Sequence, residues 1–182
     1  MPSFGPLDAR LLVVGLAPGV RGANRTGRPF TGDFAGLLLY QTLIKFGLAE
    51  GSYRADPADG LVLRDTRVTN AVRCVPPGNL PTPAEITACN PFLTSELVAM
   101  PHLRAVLALG GVAHKAVLRA RGLRAGSIAF QHGALRTLPK GDWPDELLIA
   151  DSYHVSRLNT NTGRLTAAMF EAVVAAILAR IN

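Results

Sequence analysis

The sequence predicts an α/β protein, a single-domain three-layer α/β/α sandwich with a central, mostly parallel four-stranded sheet. Two patterns lead there. Short, unbroken apolar runs mark strands buried on both faces, as in a parallel sheet covered by helices. Segments of helical periodicity alternate with these runs, and each is long enough to serve as a crossover. A third observation bounds the size. With 182 residues, 48% hydrophobic and 18% charged, the chain can bury one full core but hardly two, so one domain is expected over residues 1–182.

The first strand is Leu11-Leu12-Val13-Val14-Gly15-Leu16, running into Ala17-Pro18-Gly19. A polar, Gly-rich loop from Val20 to Gly32 leads to a crossover helix over Phe34 to Phe46. There Leu37, Leu38, Leu39, Leu43 and Ile44 recur at helical spacing, and Gly47 stops the helix. Beyond a variable stretch from Ala49 to Arg64, the β-branched run Thr66 to Val72 reads as the second strand, entering a Pro-rich loop from Val75 to Pro83. Thr82, Pro83 and Glu85 supply a cap, a first-turn proline and a capping-box glutamate for a helix through Leu97. Ala105 to Leu109 is the third strand and Val112 to Arg121 a helix. Gly122 to Trp143 is irregular and holds Gln131-His132-Gly133, Leu147 to Ala150 is the fourth strand, and the final helix spans about Gly163 to Arg180.

In such sheets the active site lies beyond the carboxyl ends of the strands. The loops after strands one, two and four are the ones rich in Gly and polar residues, so three candidate motifs converge on one end of the sheet. The first, Gly15 to Gly19 with Arg25 to Asp33, fits neither the GxGxxG dinucleotide fingerprint nor the phosphate loop ending in Gly-Lys-Ser/Thr, which counts against a nucleotide-dependent hydrolase or transferase. Its glycines, with Ala17 and Gly19, would let backbone amides approach a substrate, and Phe30 is placed to stack on a planar ring. Asp33 at a helix start is either a base or an N-cap.

Composition narrows the remaining classes. The 19 Lys and Arg against 13 Asp and Glu give a net charge of +6, with Arg dominant, which suits phosphate contacts but equally a soluble protein from an Arg-rich genome. No apolar run approaches the roughly 20 residues needed to cross a bilayer, and Met1-Pro2-Ser3 lacks the blocks of a signal peptide, so the cytoplasm is the default. Cys74 and Cys89 belong to no CxxC pair and are either thiols or part of a metal site. Lys45 and Lys115 sit in helices away from the motifs, which argues against a Schiff-base nucleophile.

Read together, Gly15 to Asp33, Asn70 to Asn79 and His154-Val155-Ser156-Arg157-Leu158-Asn159 resemble the uracil-DNA glycosylase superfamily. The string Gly-Ala-Asn-Arg-Thr-Gly-Arg-Pro-Phe-Thr-Gly-Asp resembles in particular its type-B, or family five, branch of bacteria and archaea. The resemblance implies hydrolysis of the N-glycosidic bond of uracil, and of other deaminated bases such as hypoxanthine, in DNA after the nucleotide is flipped from the duplex. A non-catalytic nucleic-acid-binding domain is the alternative. On this resemblance, Phe30 is the stacking aromatic, Asn70 reads the base edge with Asn79 as a second amide, and His154 donates to the uracil oxygen as charge develops.

Other branches place Asp, Asn or Glu just after the first strand, where this chain has Leu16, Ala17 and Val20, leaving Asp33 to orient the water or only to cap its helix. Arg157, Leu158, Asn159 and Arg164 become wedge or strand contacts, and Arg25 and Arg28 phosphate contacts. His102, His114 and His132 are taken as surface or structural, with His132 beside Gly133 as a possible support of the pocket. The family further implies a 4Fe-4S cluster on four cysteines. Cys74 and Cys89 match two of them, and the other pair belongs to a segment ahead of the first strand that is expected to be absent, because Met1 to Gly5 resembles the region just after it. The implied partner is uracil-containing DNA at the nucleoid, bound by a monomer, with no membrane role.

Overall fold

The computed structural model describes residues 1–141, 143 and 145–182, so one position of the irregular segment expected over 122–143 lies outside the described residues. The main sheet holds β1 (Leu11–Gly15), β4 (Thr66–Asn70), β5 (Ala105–Leu109), β6 (Leu135–Leu138) and β7 (Leu147–Ser152), in the order β4-β1-β5-β7-β6. Four strands are parallel and β6 pairs antiparallel with β7. The expected four-stranded sheet is thus corrected to five. β6 escaped notice because Leu-Arg-Thr-Leu is an edge strand, half exposed, with no apolar run to mark it. A separate pair, β2 (Ala49–Glu50) and β3 (Val62–Leu63), lies within the stretch expected to be merely variable.

β1, β5 and β7 are buried along their whole length because helices cover both faces. One face packs α2 (Ala35–Lys45) and α6 (Ala167–Ile181) around Leu39, Leu43, Phe170 and Val174. The other packs α3 (Pro83–Val98) and α4 (Gly111–Ala120) around Leu93, Leu97, Val117 and Leu118. Two short helices, α1 (Ala23–Thr26) and α5 (Arg157–Asn161), lie in the loops after β1 and β7. Thr82 accepts from the Glu85 amide at 3.3 Å while the Glu85 carboxylate accepts from the Thr82 amide at 2.7 Å, the expected capping box. The final helix begins at Ala167 rather than Gly163, where the Thr166 side chain accepts from the Met169 amide at 3.2 Å.

Arg28 was expected to meet a phosphate and does not. Only 5% of it is exposed, and its guanidinium donates two bonds of 2.8 Å to Asp59 and one of 2.7 Å to Thr31 Oγ1. The Arg28 bonds hold the Asp59 carboxyl well below the usual carboxylate range. Asp59 also accepts from the amides of Arg54 and Leu61, so this ion pair ties the 54–61 loop to the segment ahead of Phe30.

Asp59→Asn leaves the Arg28 charge buried without its partner and should destabilise the fold by about 3 to 5 kcal/mol in urea unfolding. In the unsubstituted chain the pair's contribution is complete above the ordinary Asp pKa. It falls away below about pH 4, because the unfolded carboxyl takes up its proton before the folded one. A loss under 1 kcal/mol would show the pair to be dispensable.

Candidate active site

β4 and β1 end side by side, β5 separates β1 from β7, and the exits of β1, β4 and β7 build one pocket at the same end of the sheet. Gly15 closes β1 opposite Asn70, which closes β4. A Cβ on Gly15 would stand 2.4 Å from both Asn70 Oδ1 and the Phe30 ring, so only glycine lets these side chains meet over the strand end. The ladder continues past the strand through Ala71 N to Gly15 O at 2.9 Å and Val72 N to Leu16 O at 3.0 Å, which fixes Asn70. None of its side-chain atoms is hydrogen-bonded to another described residue, so the amide is open to a ligand.

Phe30 has φ 53°, a left-handed backbone that a residue with a Cβ enters at a cost of roughly 1 to 3 kcal/mol. Its neighbours compel it. The Tyr40 hydroxyl donates to Pro29 O at 2.6 Å and the Tyr53 hydroxyl to Phe30 O at 2.9 Å. Gly36 carries no Cβ, which would fall 1.8 Å from that same Phe30 oxygen. The ring is consequently buried, with its centroid 6.0 Å from that of His154 and the planes 32° apart.

Ala17, Gly19, Phe30, Asp33, Asn70 and His154, all singled out in the sequence, line one cavity of about 40 Å³ together with Ala23 and Ala35. A larger cleft of about 150 Å³ lies at the opposite end of the sheet, among Leu97, Met100, Arg121 and Trp143, away from the three motifs. Burial pulls the His154 imidazole down to about 4, so it is neutral at physiological pH and offers one N–H. Asp33 precedes Phe34, the N-cap of α2, and its Oδ1 accepts from the Ala35 amide at the helix start at 3.1 Å, while a Cβ on Gly22 would lie 2.7 Å from Oδ2. Burial raises its pKa despite the backbone bonds.

Around the mouth, Arg157 and Leu158 of α5 are exposed, with Leu158 71% accessible, and the Arg157 guanidinium lies 5.3 Å from the Phe34 ring centre. Arg164 is exposed and sits 4.6 Å over the Tyr153 ring, and Arg25 is exposed. Asn159 instead turns inward, its amide donating to His154 O at 2.8 Å. Asn79 is exposed in a turn at φ 59° and does not line the cavity. His114, read as surface or structural, is fully buried against Asp151, which the sequence reading did not single out. An acidic residue closing an apolar strand was the available signal.

Cys74 is exposed and Cys89 partly buried, and among the described residues no group of three or more His, Cys, Asp or Glu could hold a metal ion.

The family model described as the uracil DNA glycosylase superfamily matches residues 2–178. A type-5 uracil-DNA glycosylase of Thermus thermophilus is 49% identical over 170 residues, which cover 93% of this chain and 75% of that protein. A type-5 uracil-DNA glycosylase of Pyrobaculum aerophilum is 43% identical over 91% of this chain and 70% of its own length. A type-4 uracil-DNA glycosylase of Thermotoga maritima is 36% identical over 60% of this chain and 49% of its own length.

Gly15→Ala should separate Phe30 from Asn70 and cost about 1 to 3 kcal/mol of stability, measured by thermal unfolding; an unchanged melt would mean the strand end yields. The His154 imidazole should titrate near pH 4 by NMR, with the chain losing stability as pH falls from about 6.5 toward that value, since the unfolded histidine binds its proton first. A midpoint at 6 or above would contradict its burial.

Proposed function

The chain belongs to the uracil DNA glycosylase superfamily, and from that membership and the pocket's geometry we infer that it is a uracil-DNA glycosylase that removes uracil from DNA in the first step of base excision repair. One observation carries the assignment of roles. A flat ring, an open amide and a neutral imidazole face one cavity at the carboxyl ends of β1, β4 and β7.

We propose the following sequence of events. The flipped base stacks on Phe30, and the Asn70 amide donates to one group of its edge and accepts from another. The bond between C1′ of the sugar and the base nitrogen then breaks with both electrons leaving on the base, so the sugar becomes oxocarbenium-like. His154 donates its N–H to the base oxygen on which negative charge grows, an interaction stronger in the transition state than in the ground state. A water adds to C1′ from the far face, and the proton it gives up ends on the departed base anion, leaving a neutral base and an abasic sugar. Asp33, which lines the same cavity, is the group proposed to orient that water or to offset the sugar's positive charge.

No lysine is required. Lys45 is held by Glu171 at 2.6 Å on the outer surface, and Lys115 is exposed on α4. Arg157, Leu158 and Arg164 face the duplex, with Leu158 filling the space the base vacates. The wider range, reaching other deaminated bases such as hypoxanthine, is proposed from the family resemblance. One DNA face suffices, so the enzyme works as a monomer at the nucleoid. A four-iron cluster would take two ligands from Cys74 and Cys89 but needs four thiolates, and these 182 residues contain two cysteines. The residues present therefore do not fit the cluster, and no step above passes through it.

Single-turnover cleavage of a duplex carrying one uracil, followed by alkali to break abasic sites, tests this. His154→Ala should lose about 10² to 10³ in rate, and Asp33→Ala ranks the carboxylate's part in the chemistry against its hydrogen bond at the start of α2. Full activity in His154→Ala would remove the imidazole from the mechanism.

A further inference from the structure

His154 carries its role only if its main chain is held still, and the structure places a polar partner on each side of it. On the near side, the Tyr153 amide donates to His132 Nδ1 at 3.2 Å, and the His132 ring stacks on Tyr153 with centroids 4.7 Å apart and planes 7° apart. On the far side, the Asn159 amide donates to His154 O at 2.8 Å. A ring nitrogen that accepts from an amide must be unprotonated, and burial lowers the His132 pKa accordingly.

The loop bearing His132 has its own support. Asp151, fully buried at the end of β7, accepts from the Gln131 amide at 3.1 Å and from Arg136 at 3.3 Å, and its other oxygen meets His114 Nδ1 at 2.7 Å. His114 Nε2 faces Ile128 O at 2.9 Å, and since a carbonyl only accepts, that nitrogen donates. The Asp151 main chain completes the grip through Gly133 N to Asp151 O at 2.8 Å and Asp151 N to Ala134 O at 3.0 Å. Residues 128–134 are thereby pinned at both ends to a strand and helix of the core.

We propose that His132 and Asn159 are positioning residues for His154, clamping the main chain on either side of it, and that the buried Asp151 and His114 hold the loop carrying His132. The inference rests on His154 being the group that donates to the departing base. A displaced imidazole loses most of its effect at the developing charge, because an interaction confined to the transition state depends steeply on position.

The test is single-turnover uracil excision by His132→Ala, His132→Asn and the His132→Ala, His154→Ala pair, with duplex affinity measured alongside. His132→Ala should slow the chemical step at least about tenfold while duplex affinity stays within about twofold. Asn Oδ1 sits where Nδ1 was and accepts from the Tyr153 amide, so His132→Asn should recover most of the rate. If the lost ring stack were what mattered, asparagine would rescue no better than alanine. On the His154→Ala background, His132→Ala should cost nothing further. An unchanged rate in His132→Ala, no rescue by asparagine, or additive losses in the pair would each overturn the clamp. Full activity in His154→Ala alone is a different result, which removes the premise about His154 and the clamp with it. His132 is partly exposed, and melting curves of each variant separate a loss of fold from a loss of position.

Discussion

Phe30 occupies a backbone conformation that its own chemistry disfavours, and the pocket exists because the surrounding structure leaves it no alternative. The Tyr40 and Tyr53 hydroxyls hold the carbonyls of Pro29 and Phe30, the Arg28 and Asp59 ion pair anchors the residues ahead of them, and Gly15 and Gly36 remove the two Cβ atoms that would collide with the ring and its carbonyl. Strain of this kind persists only where it is over-determined. The same interactions that stabilise residues 28–31 aim the ring at the cavity, so stability and site geometry are coupled here rather than traded.

The electrostatics follow from the same burial. In a partly dry pocket His154 is neutral, as the donor role proposed for it toward a developing anion requires. Asp33 pulls the other way. Its raised pKa reflects the cost of a carboxylate near apolar walls, moderated by the helix-start amides it accepts from. The carboxylate lines the cavity and is anchored by the Ala35 amide. The small lining residues leave the shape of the cavity to Phe30, Asn70 and His154, and the exposed arginines lie outside it, where a phosphate backbone would pass.

Much of this was legible in the sequence. Continuous apolar runs revealed β1, β5 and β7 because burial on both faces leaves no polar alternation, and Thr82 and Glu85 announced a helix start because a capping box is local. The three motifs located the cavity because strand exits are where such sheets bind. What escaped is non-local or marginal. β6 is a half-exposed edge, β2 and β3 have two residues each, and α5 is a five-residue helix inside a loop. Arg28 reads as a surface arginine until Asp59, 31 positions away, is seen to meet it, and His114 likewise until Asp151 is placed beside it. Asn159 lay in the expected DNA-contact segment, yet its side chain bonds back to the residue that opens the segment.

The most direct test of the account is a crystal structure of the chain with a duplex carrying one 2′-fluoro-2′-deoxyuridine, whose fluorine slows loss of the base by destabilising the sugar cation. The account predicts the uracil flipped out, its ring lying on Phe30, its edge within hydrogen-bond distance of the Asn70 amide and an oxygen within reach of the His154 imidazole. A uracil that remains stacked in the duplex, or that flips into a site bounded by other residues, would contradict it.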